Sequence, residues 1–454
     1  MLESLKIISG LLGFLTGFLF SLWWLWLPFF LFILLKDIWL KNSREKFVQQ
    51  MKWVLLEVRP PREIERDPRA MEQIFTGLHG FNSRPIFKER VFLGEVQEWF
   101  SFEIVGLGGE VHFYIRALEK FRNQVEAQIY AQYPQAEIVE VDDYTRFVPA
   151  DIPNKDYDLW GADMILVKDD AYPILTYPAF RKETLALEEM VDPIASLAEV
   201  LSRLREGEQI WIQTLFRPIL EKKWEEKVKA IKDKLIGRKK ERKPGLIEGE
   251  IVGLAKASRE KVEQLFTDKW LEEKAEEKKP TPALITLLSQ AEKDVITAIE
   301  RKAAKVAYET VIRFVYLGKR EVFNKANASA VFGCYKQFNA QDINSFKPGP
   351  RTITRVSYQI QFKTFRELYR KRKIFAYYKK RHLPNYSFAI PRYKPFFFER
   401  LPILNRFFLK VQPFVLNAEE LATVYHYPGI VVKTPRLSRV EVKKAEPPAG
   451  LPVG

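Results

Sequence analysis

EWFSFEIVGLGGEVHFYIRA, residues 98–117, contains two short runs in which apolar and polar side chains alternate. This alternation is typical of strands that bury one face. Gly106, Gly108 and Gly109 separate the two runs and permit the tight turn that a hairpin needs. The stretch therefore predicts a β-hairpin at the centre of an α+β fold.

The segments after the hairpin predict two helices and three further strands. Apolar side chains at helical spacing indicate a helix at residues 119–133, and Asp192 is placed to cap a second helix. From Glu110 onward the order is strand, helix, strand, strand, helix, strand, which is the split βαβ pattern. We therefore predict a ferredoxin-like α/β sandwich over residues 48–219. Its later strand-like runs are residues 136–141, 162–167 and 209–216.

A second, smaller α/β unit is predicted at residues 281–346. It combines a stripe of apolar residues at helical spacing, a strand-like run at 306–317 and another helix pattern at 319–338. Between the two units, residues 220–280 mix charges of both signs, which indicates a solvated helical linker. The other predicted segments are an anchor at 1–47, a basic aromatic segment at 347–413, and a C-terminal helix with a proline-rich tail at 414–454.

The amino-terminal part of the chain is strongly apolar. Residues 7–35 contain no charged side chain, and as a helix they would be about 43 Å long, against ~30 Å for the core of a bilayer. We therefore predict an N-terminal transmembrane helix that is not cleaved, with a re-entrant hairpin about Pro28 as the alternative. The aromatic residues predicted to lie at the membrane interface are Trp23, Trp24 and Trp26.

Charged residues around the apolar segment predict its orientation. Several lysines and arginines follow it within residues 36–52, whereas Lys6 and the amino terminus precede it and Glu3 opposes them. Loops rich in lysine and arginine stay on the cytoplasmic side of a membrane. The bulk of the chain is therefore predicted to be cytoplasmic.

The composition favours folded domains in a reducing compartment. The chain has 454 residues, of which 47% are hydrophobic and 29% charged, so it is long enough for two or three cores. Its single cysteine, Cys334, excludes a disulfide framework and a cysteine-cluster metal site. The net charge of +15 implies attraction to an anionic surface. Phospholipid headgroups and nucleic acid both meet this description.

Motifs for catalysis are missing from the sequence. A P-loop needs GxxxxGK[ST], and no Gly-Lys-Ser or Gly-Lys-Thr occurs. The four histidines are far apart, none has metal-site spacing, and neither HExxH nor GxSxG is present. The sequence therefore predicts a protein that is not an enzyme, with no catalytic residue, cofactor or metal ion.

Residues 366–381 are the best candidate for a binding surface, because aromatic and basic side chains alternate there. Cations would neutralise phosphates while the rings stack on bases or on a partner protein. The alternative is a helix whose aromatic residues are core and whose cations face solvent or anionic lipid. The candidate binding residues are Arg366, Arg370, Lys371, Arg372, Lys373, Tyr377, Tyr378, Lys379, Lys380 and Arg381.

Four stretches of the sequence carry a family resemblance. They are residues 70–80 (AMEQIFTGLHG), 99–143 (with SFEIVGLGGEVHFYIR), 330–348 (AVFGCYKQFNAQDINSFKP) and 414–428 (FVLNAEELATVYHYP). These stretches resemble the membrane-proximal region of conjugation-type ATPases, the type IV secretion coupling-protein and HerA-like group of candidate-phylum bacteria. In that group, the stretch like 414–428 and a basic, proline-rich segment like 443–452 lead directly into a P-loop motor domain.

The resemblance implies a scaffold without a motor, because the sequence ends at this point without a phosphate loop. We expect a non-catalytic scaffold of a type IV secretion or conjugation-like system, anchored in the bacterial inner membrane, that docks a separate P-loop ATPase. Analogy with related motors suggests a homo-oligomeric ring. The alternative is a membrane-tethered protein that holds DNA through residues 366–381.

Overall fold

The structure of the chain is a computed structural model that describes part of the sequence. The described residues are 17, 21, 23–61, 67–81, 85–86, 88–180, 192–219, 222–236, 289–356, 363–384 and 411–429. They belong to two compact units, one formed by residues 1–220 together with 304–454, and one formed by residues 221–303.

The larger unit contains an antiparallel sheet of nine strands. Across the sheet the order is β4-β1-β3-β2-β6-β7-β5-β8, and β9 pairs with β7 beside this path. The strands are β1 (Trp53–Arg59), β2 (Phe100–Leu107), β3 (Glu110–Leu118), β4 (Glu137–Glu140), β5 (Tyr157–Leu166), β6 (Glu208–Ile219), β7 (Ala307–Lys319), β8 (Phe346–Pro348) and β9 (Phe414–Asn417).

The helices of the larger unit cover both faces of this sheet, and the other described helices belong to the smaller unit. The α-helices of the larger unit are α1 (Trp23–Gln50), α2 (Arg69–Leu78), α3 (Arg122–Gln132), α4 (Ala195–Ser202), α7 (Lys325–Tyr335), α8 (Lys363–Lys379) and α9 (Ala418–Val424). Those of the smaller unit are α5 (Lys222–Leu235) and α6 (Gln290–Ala303), which pack on each other and are joined by an ion pair between Lys232 and Glu300 at 2.9 Å.

The predicted hairpin is present and lies near the middle of the sheet. β2 pairs with β3 from Ser101 to Leu107, and Gly108 and Gly109 make the turn with φ of 56° and 99°. These are left-handed conformations that glycine adopts without a steric penalty. A Cβ at Gly106 would lie 2.9 Å from the Leu204 side chain, so the absence of a side chain there lets α4 pack closely on the hairpin.

The two faces of the sheet carry two separate hydrophobic cores. Because successive strand residues point to opposite faces, Ile104 and Ile212 belong to the first core, and Val105 and Trp211 belong to the second. Buried residues of α2, α3, α4, α7 and α9 fill the first core. The second core is filled from α8, with partly buried residues from the end of α1.

The prediction of a ferredoxin-like sandwich beside a second α/β unit was wrong. β7, which was assigned to the second unit, pairs with β6 along twelve residue pairs from Glu208 to Ile219, and with β5 on its other side. Both β6 and β7 are buried along almost their whole length. A strand that is buried on both faces and paired along both edges belongs to the middle of a large sheet, so the α+β architecture is one nine-stranded sheet.

The prediction of a transmembrane anchor was also wrong for the described part of the chain. Among the described residues, no helix is both long enough and apolar enough to cross a membrane. Of the predicted span, α1 contains residues 23–35, after which Lys36 and Asp37 begin its charged part. The single-pass, inner-membrane localisation is corrected accordingly. The rest of the predicted span, residues 7–16, 18–20 and 22, lies outside the described residues.

The correction extends to the tryptophans assigned to the membrane interface. Trp23, Trp24 and Trp26 all belong to α1, and the side chain of Trp24 is 60% exposed. Without a described membrane-spanning helix, nothing places these rings at a headgroup layer. Other predicted segments also fall outside the described residues, namely most of the linker (237–280), the start of the predicted second unit (281–288), parts of the basic aromatic segment (357–362 and 385–410) and the tail (430–454).

Candidate functional site

The helix α8 carries nearly all of the predicted binding residues, and its inner face is part of the second core. Ile374, Phe375 and Tyr378 are buried, and the rings of Phe375 and Tyr378 pack on Trp211 at 6.1 and 5.3 Å between centroids. The Tyr378 hydroxyl is hydrogen-bonded to that of Tyr144 at 2.7 Å. Tyr378 therefore has no exposed ring face on which a base could stack.

Arg381 follows α8 and is one of the most deeply buried cations of the fold. Its side chain is 1% exposed, and it donates to Glu103 of β2 from Nε and Nη2 at 3.0 and 3.2 Å. It also donates to both carboxylate oxygens of Asp143, with Nη2 at 3.0 Å from Oδ1. This arrangement anchors the end of α8 to the centre of the sheet.

Glu103 is fully satisfied as a carboxylate. Ser101 Oγ, the Tyr144 hydroxyl and Gln213 Nε2 donate to it at 2.6, 2.7 and 3.0 Å. Burial alone would raise the pKa of Glu103, but the charge and hydrogen bonds of Arg381 outweigh it and hold that pKa below its usual value. We call Arg381, Glu103, Asp143, Ser101, Tyr144, Gln213 and Tyr378 the Arg381 network.

The backbone at Arg381 ends α8 in a Schellman motif. The N–H of His382 donates to the Tyr377 carbonyl and the N–H of Arg381 to the Tyr378 carbonyl, both at 2.9 Å. Arg381 has a φ of 46°, in the left-handed region where glycine is usual. The buried network therefore holds a non-glycine residue in a conformation that costs about 1 kcal/mol or more.

Two more of the predicted residues are committed to contacts within the chain. Arg370 donates to the Ile353 carbonyl at 2.8 Å, and Lys371 Nζ lies 2.5 Å from Oδ1 of Asp158. The pKa of Arg370 is lowered, first by burial and then by the charge of Arg366. These cations hold α8 against its neighbours.

The remaining predicted cations lie on the solvent side of α8. Arg372 and Lys380 are exposed, whereas Arg366, Lys373 and Lys379 are half-buried. Lys373 Nζ lies 5.0 Å above the Tyr377 ring and Lys379 Nζ lies 5.3 Å from the Phe375 ring, so both ammonium groups are positioned by aromatic faces. The basic face of α8 consists of Arg366, Arg372, Lys373, Lys379 and Lys380.

Three residues that the sequence reasoning did not select adjoin this face. His382 is half-buried and stacks on Tyr377 with ring centroids 4.5 Å apart and 25° between the planes. Arg313 of β7 directs both terminal nitrogens to the His382 carbonyl, at 3.4 and 3.5 Å. Burial lowers the pKa of His382 to about 3, together with the charges of Arg313, Lys373, Lys380 and Lys41. Lys41 comes from α1, and nothing in its local sequence indicated that it would lie near α8.

The C-terminal helix, predicted from Asn417 to Tyr425, is present as α9 within residues 414–428, which close the fold. All of these residues, the C-terminal motif, are buried. Asn417 and Glu420 form a capping box at the start of α9, at 2.8 and 2.9 Å. At its other end, His426 Nε2 lies 2.9 Å from Oδ1 of Asp192, whose Oδ2 accepts the N–H of Gly429 at 2.9 Å.

A cavity of about 300 Å³ opens where α9 meets α2. Lys305 bridges two carboxylates of its wall, at 2.6 Å to Oε1 of Glu72 and at hydrogen-bond distance to Glu419. Burial alone would lower the pKa of Lys305, but these two carboxylates raise it above its usual value. The Tyr177 hydroxyl donates to Glu72 at 2.7 Å. The lining carries three carboxylates, of Asp67, Glu72 and Glu419, against two cations, Arg69 and Lys305, and no group of side chains among the described residues is arranged to hold a metal ion.

Comparison with known proteins identifies a family for the chain. The sequence model of a domain of unknown function, DUF8128, matches residues 37–381. A search of curated proteins gave no match. The matched region runs from the charged part of α1 to Arg381, so it contains β1 to β8 and all of α8. Since this is more than half of the sequence, the chain belongs to the DUF8128 family.

Proposed function

We propose that this chain is a non-catalytic docking module for a separate P-loop ATPase in a type IV secretion or conjugation-like system. The observation that carries the proposal is the position of the C-terminal motif, residues 414–428. In the group that these residues resemble, the corresponding stretch leads directly into the motor domain. Here it is built into the core of the fold.

The contacts of the C-terminal motif support this role. β9 pairs with β7 from Ala307 to Thr310, and α9 packs on α2. The Lys305 bridge and the Asp192–His426 pair tie α9 to the body of the larger unit at both ends. Because β9 and α9 are held on all sides, a partner that binds beside them would have a fixed position relative to the fold. A docking module requires this.

The test combines native purification with reconstitution. The tagged full chain is purified gently from its own cells, and co-purifying proteins are identified by mass spectrometry. We expect a protein with GxxxxGK[ST] in stoichiometric amount, which should bind the chain again after separate purification. A Lys305→Met variant should bind it less tightly, and Lys347→Met, which alters an exposed lysine of β8, serves as the matched control. ATP hydrolysis by residues of the purified chain itself would overturn the proposal.

A second candidate function is binding of nucleic acid by the basic face of α8. It is favoured by one observation: four cations of α8 and Lys380 just after it lie on one side, two of them exposed and three half-buried, while Phe375 and Tyr378 between them face the core. Each phosphate that a cation neutralises adds about −0.7 to −0.9 to the slope of log K against log salt concentration. Binding should therefore weaken steeply as salt rises.

The variant that tests this function should leave Arg370 and Lys371 unchanged. Reversal of Arg370 and Lys371 would break contacts with Ile353 and Asp158, and the fold would suffer. Arg372→Glu with Lys380→Glu alters exposed residues and should reduce the salt slope by roughly 1.5. The matched control is Lys325→Glu with Lys347→Glu, two exposed lysines elsewhere. Binding that does not depend on salt would exclude this function.

A further inference from the structure

We propose that the cavity between α2 and α9 binds a free α-amino acid with a cationic side chain, such as arginine. The cavity has a volume of about 300 Å³, at the lower end of the range of about 300–1,000 Å³ for small-molecule sites. It lies within the larger unit, and binding there does not depend on the docking function proposed above. Its wall includes the side chains of Asp67, Arg69, Glu72, Gln73, Lys305 and Glu419.

The charged groups of the cavity match those of a basic α-amino acid in number and sign. The carboxylates of Asp67, Glu72 and Glu419 stand against the cations of Arg69 and Lys305, so the lining carries one net negative charge. A basic α-amino acid at neutral pH has two cationic groups and one carboxylate, and therefore one net positive charge. Each charge of the ligand thus has a partner of opposite sign in the wall, which favours binding and sets its orientation.

The start of α2 offers partners for both groups on the α-carbon of an amino acid. The N–H of Arg69 donates to Oδ1 of Asp67 at 3.2 Å, so neighbouring residues carry a carboxylate and a guanidinium here. Gln73 lies one helical turn after Arg69, and both side chains are exposed. No described residue forms a hydrogen bond with the Arg69 guanidinium or the Gln73 amide. We therefore expect Arg69 and Gln73 to hold the α-carboxylate, and Asp67 to hold the α-ammonium group.

On the α9 side of the cavity, Glu72 and Glu419 are placed to bind the cationic side chain of the ligand. The Tyr177 hydroxyl donates to Glu72 at 2.7 Å, the Thr176 hydroxyl donates to Glu419, and Lys305 bridges the two glutamates. Each carboxylate thus accepts two hydrogen bonds from described side chains, whereas an ionised carboxylate has about four acceptor sites. Both can accept further bonds from a guanidinium. Since their side chains are already fixed, they lose little conformational freedom when the ligand binds.

Negative charge predominates where these carboxylates meet. The pKa of Tyr177 is raised, first by burial and then by its hydrogen bond to Glu72 and by the charges of Glu72, Asp67 and Glu419. All three carboxylates therefore act on one hydroxyl, although Lys305 lies between two of them. A second cation that enters the cavity would meet this negative potential.

Isothermal titration calorimetry of the full chain at neutral pH and constant ionic strength tests the ligand. L-arginine is the probe. L-citrulline has nearly the same shape with an uncharged side chain, and agmatine has the guanidinium but no carboxylate. We expect arginine to bind more tightly than either compound by about tenfold or more, because each lacks one charge-assisted contact. A titration with arginine that gives no saturable heat, or equal binding of arginine and citrulline, would overturn the site.

A matched pair of variants tests the end of the cavity that holds the carboxylate. Arg69→Ala removes an exposed cation and should weaken arginine binding by about tenfold or more, without weakening that of agmatine. Arg301→Ala removes an exposed arginine of α6 and should leave the binding of both compounds unchanged. Equal weakening of arginine binding by the two variants, or equal weakening of arginine and agmatine by Arg69→Ala, would overturn the site.

Gln73→Glu provides a test in which the two compounds should respond in opposite directions. The substitution conserves the shape of an exposed side chain and adds a carboxylate to the wall. It should weaken the binding of arginine, whose own carboxylate it repels, and strengthen that of agmatine. Far-UV circular dichroism checks that the fold of each variant is intact. A change of the same sign for both compounds would contradict the expected orientation and overturn the site as an α-amino acid site.

Discussion

Replacement of Arg381 by methionine should lower the free energy of unfolding by about 3–5 kcal/mol. The variant removes the cation that faces Glu103 and Asp143, and the Glu103 side chain is 0% exposed. A buried carboxylate without its partner keeps the cost of leaving water and loses the attraction that offset it. Methionine has a similar length, so the loss of packing is small.

The structure places the expected value near the lower end of this range. Glu103 keeps its hydrogen bonds from Ser101, Tyr144 and Gln213 in the variant. Arg116 also acts on Glu103 from nearby, and its pKa, lowered to about 10 by burial and then by Arg381, would recover once Arg381 is gone. The backbone strain at a φ of 46° is common to arginine and methionine and cancels. We therefore expect about 3 kcal/mol.

Urea unfolding followed by far-UV circular dichroism measures this loss, and its pH dependence gives an independent check. In the natural chain the pKa of Glu103 lies below its usual value. This carboxylate therefore stabilises the fold at pH values above its usual pKa, and the stabilisation is lost as the pH falls through its lowered pKa. Without Arg381, burial is the main remaining influence and raises the pKa of Glu103. A raised pKa costs stability as pH rises through it, so the variant should be closest to the natural chain near pH 5 and furthest from it near pH 7.5.

The double variant with Glu103→Gln tests the cause directly. Since it removes the stranded charge, it should be less destabilised than the sum of the two single variants, by at least about 1.5 kcal/mol. A loss below about 1 kcal/mol in Arg381→Met would refute the reasoning. Strict additivity of the two substitutions would refute it as well.

Four further outcomes follow from other parts of the fold. Gly94 has a φ of +70°, and a Cβ there would lie 2.4 Å from the backbone of α1, so Gly94→Ala should cost more than about 2 kcal/mol by urea unfolding. Gly333→Ala, in open space within α7, should instead gain about 0.5–1 kcal/mol. Burial alone would raise the pKa of Asp192, but His426 and backbone hydrogen bonds lower it. Asp192→Asn should therefore lower the free energy of unfolding by about 1–3 kcal/mol at pH 7 and make stability fall less steeply below pH 4. An unchanged fall in stability below pH 4 would contradict this. Cys334 is 7% exposed, and burial raises the pKa of its thiol. This thiol should therefore react with Ellman's reagent at pH 8 roughly a hundredfold more slowly than in the unfolded chain. Equal reaction rates would contradict its buried position.

Local patterns in the sequence identified individual elements well. The alternation around Gly108 and Gly109 gave the hairpin of β2 and β3. Asn417 as a cap, with Glu419 and Glu420 in the first turn, indicated the start of α9, where a capping box is present. These features depend on neighbours within four residues, so the sequence contains all the information they need.

The same patterns did not indicate which strands are neighbours. β6 and β7 each read as a strand, but about a hundred residues separate their starts, and the sequence assigned them to different units. Hydrophobic periodicity shows that a strand is buried without showing what lies beside it. An apolar run such as residues 23–35 is likewise typical both of a membrane helix and of a helix in another apolar environment, and among the described residues no helix is long and apolar enough for the first.

For the candidate site, the sequence determined the composition of α8 and the tertiary structure determined what each residue does. Lysines and arginines of one basic segment look alike in a sequence, yet Lys371 meets Asp158, Arg381 meets Glu103, and Lys380 faces solvent. Those partners lie more than two hundred residues away along the chain. Charge and periodicity are properties of a local segment, whereas burial and pairing depend on which distant segments the sheet brings together, and only the fold supplies that information.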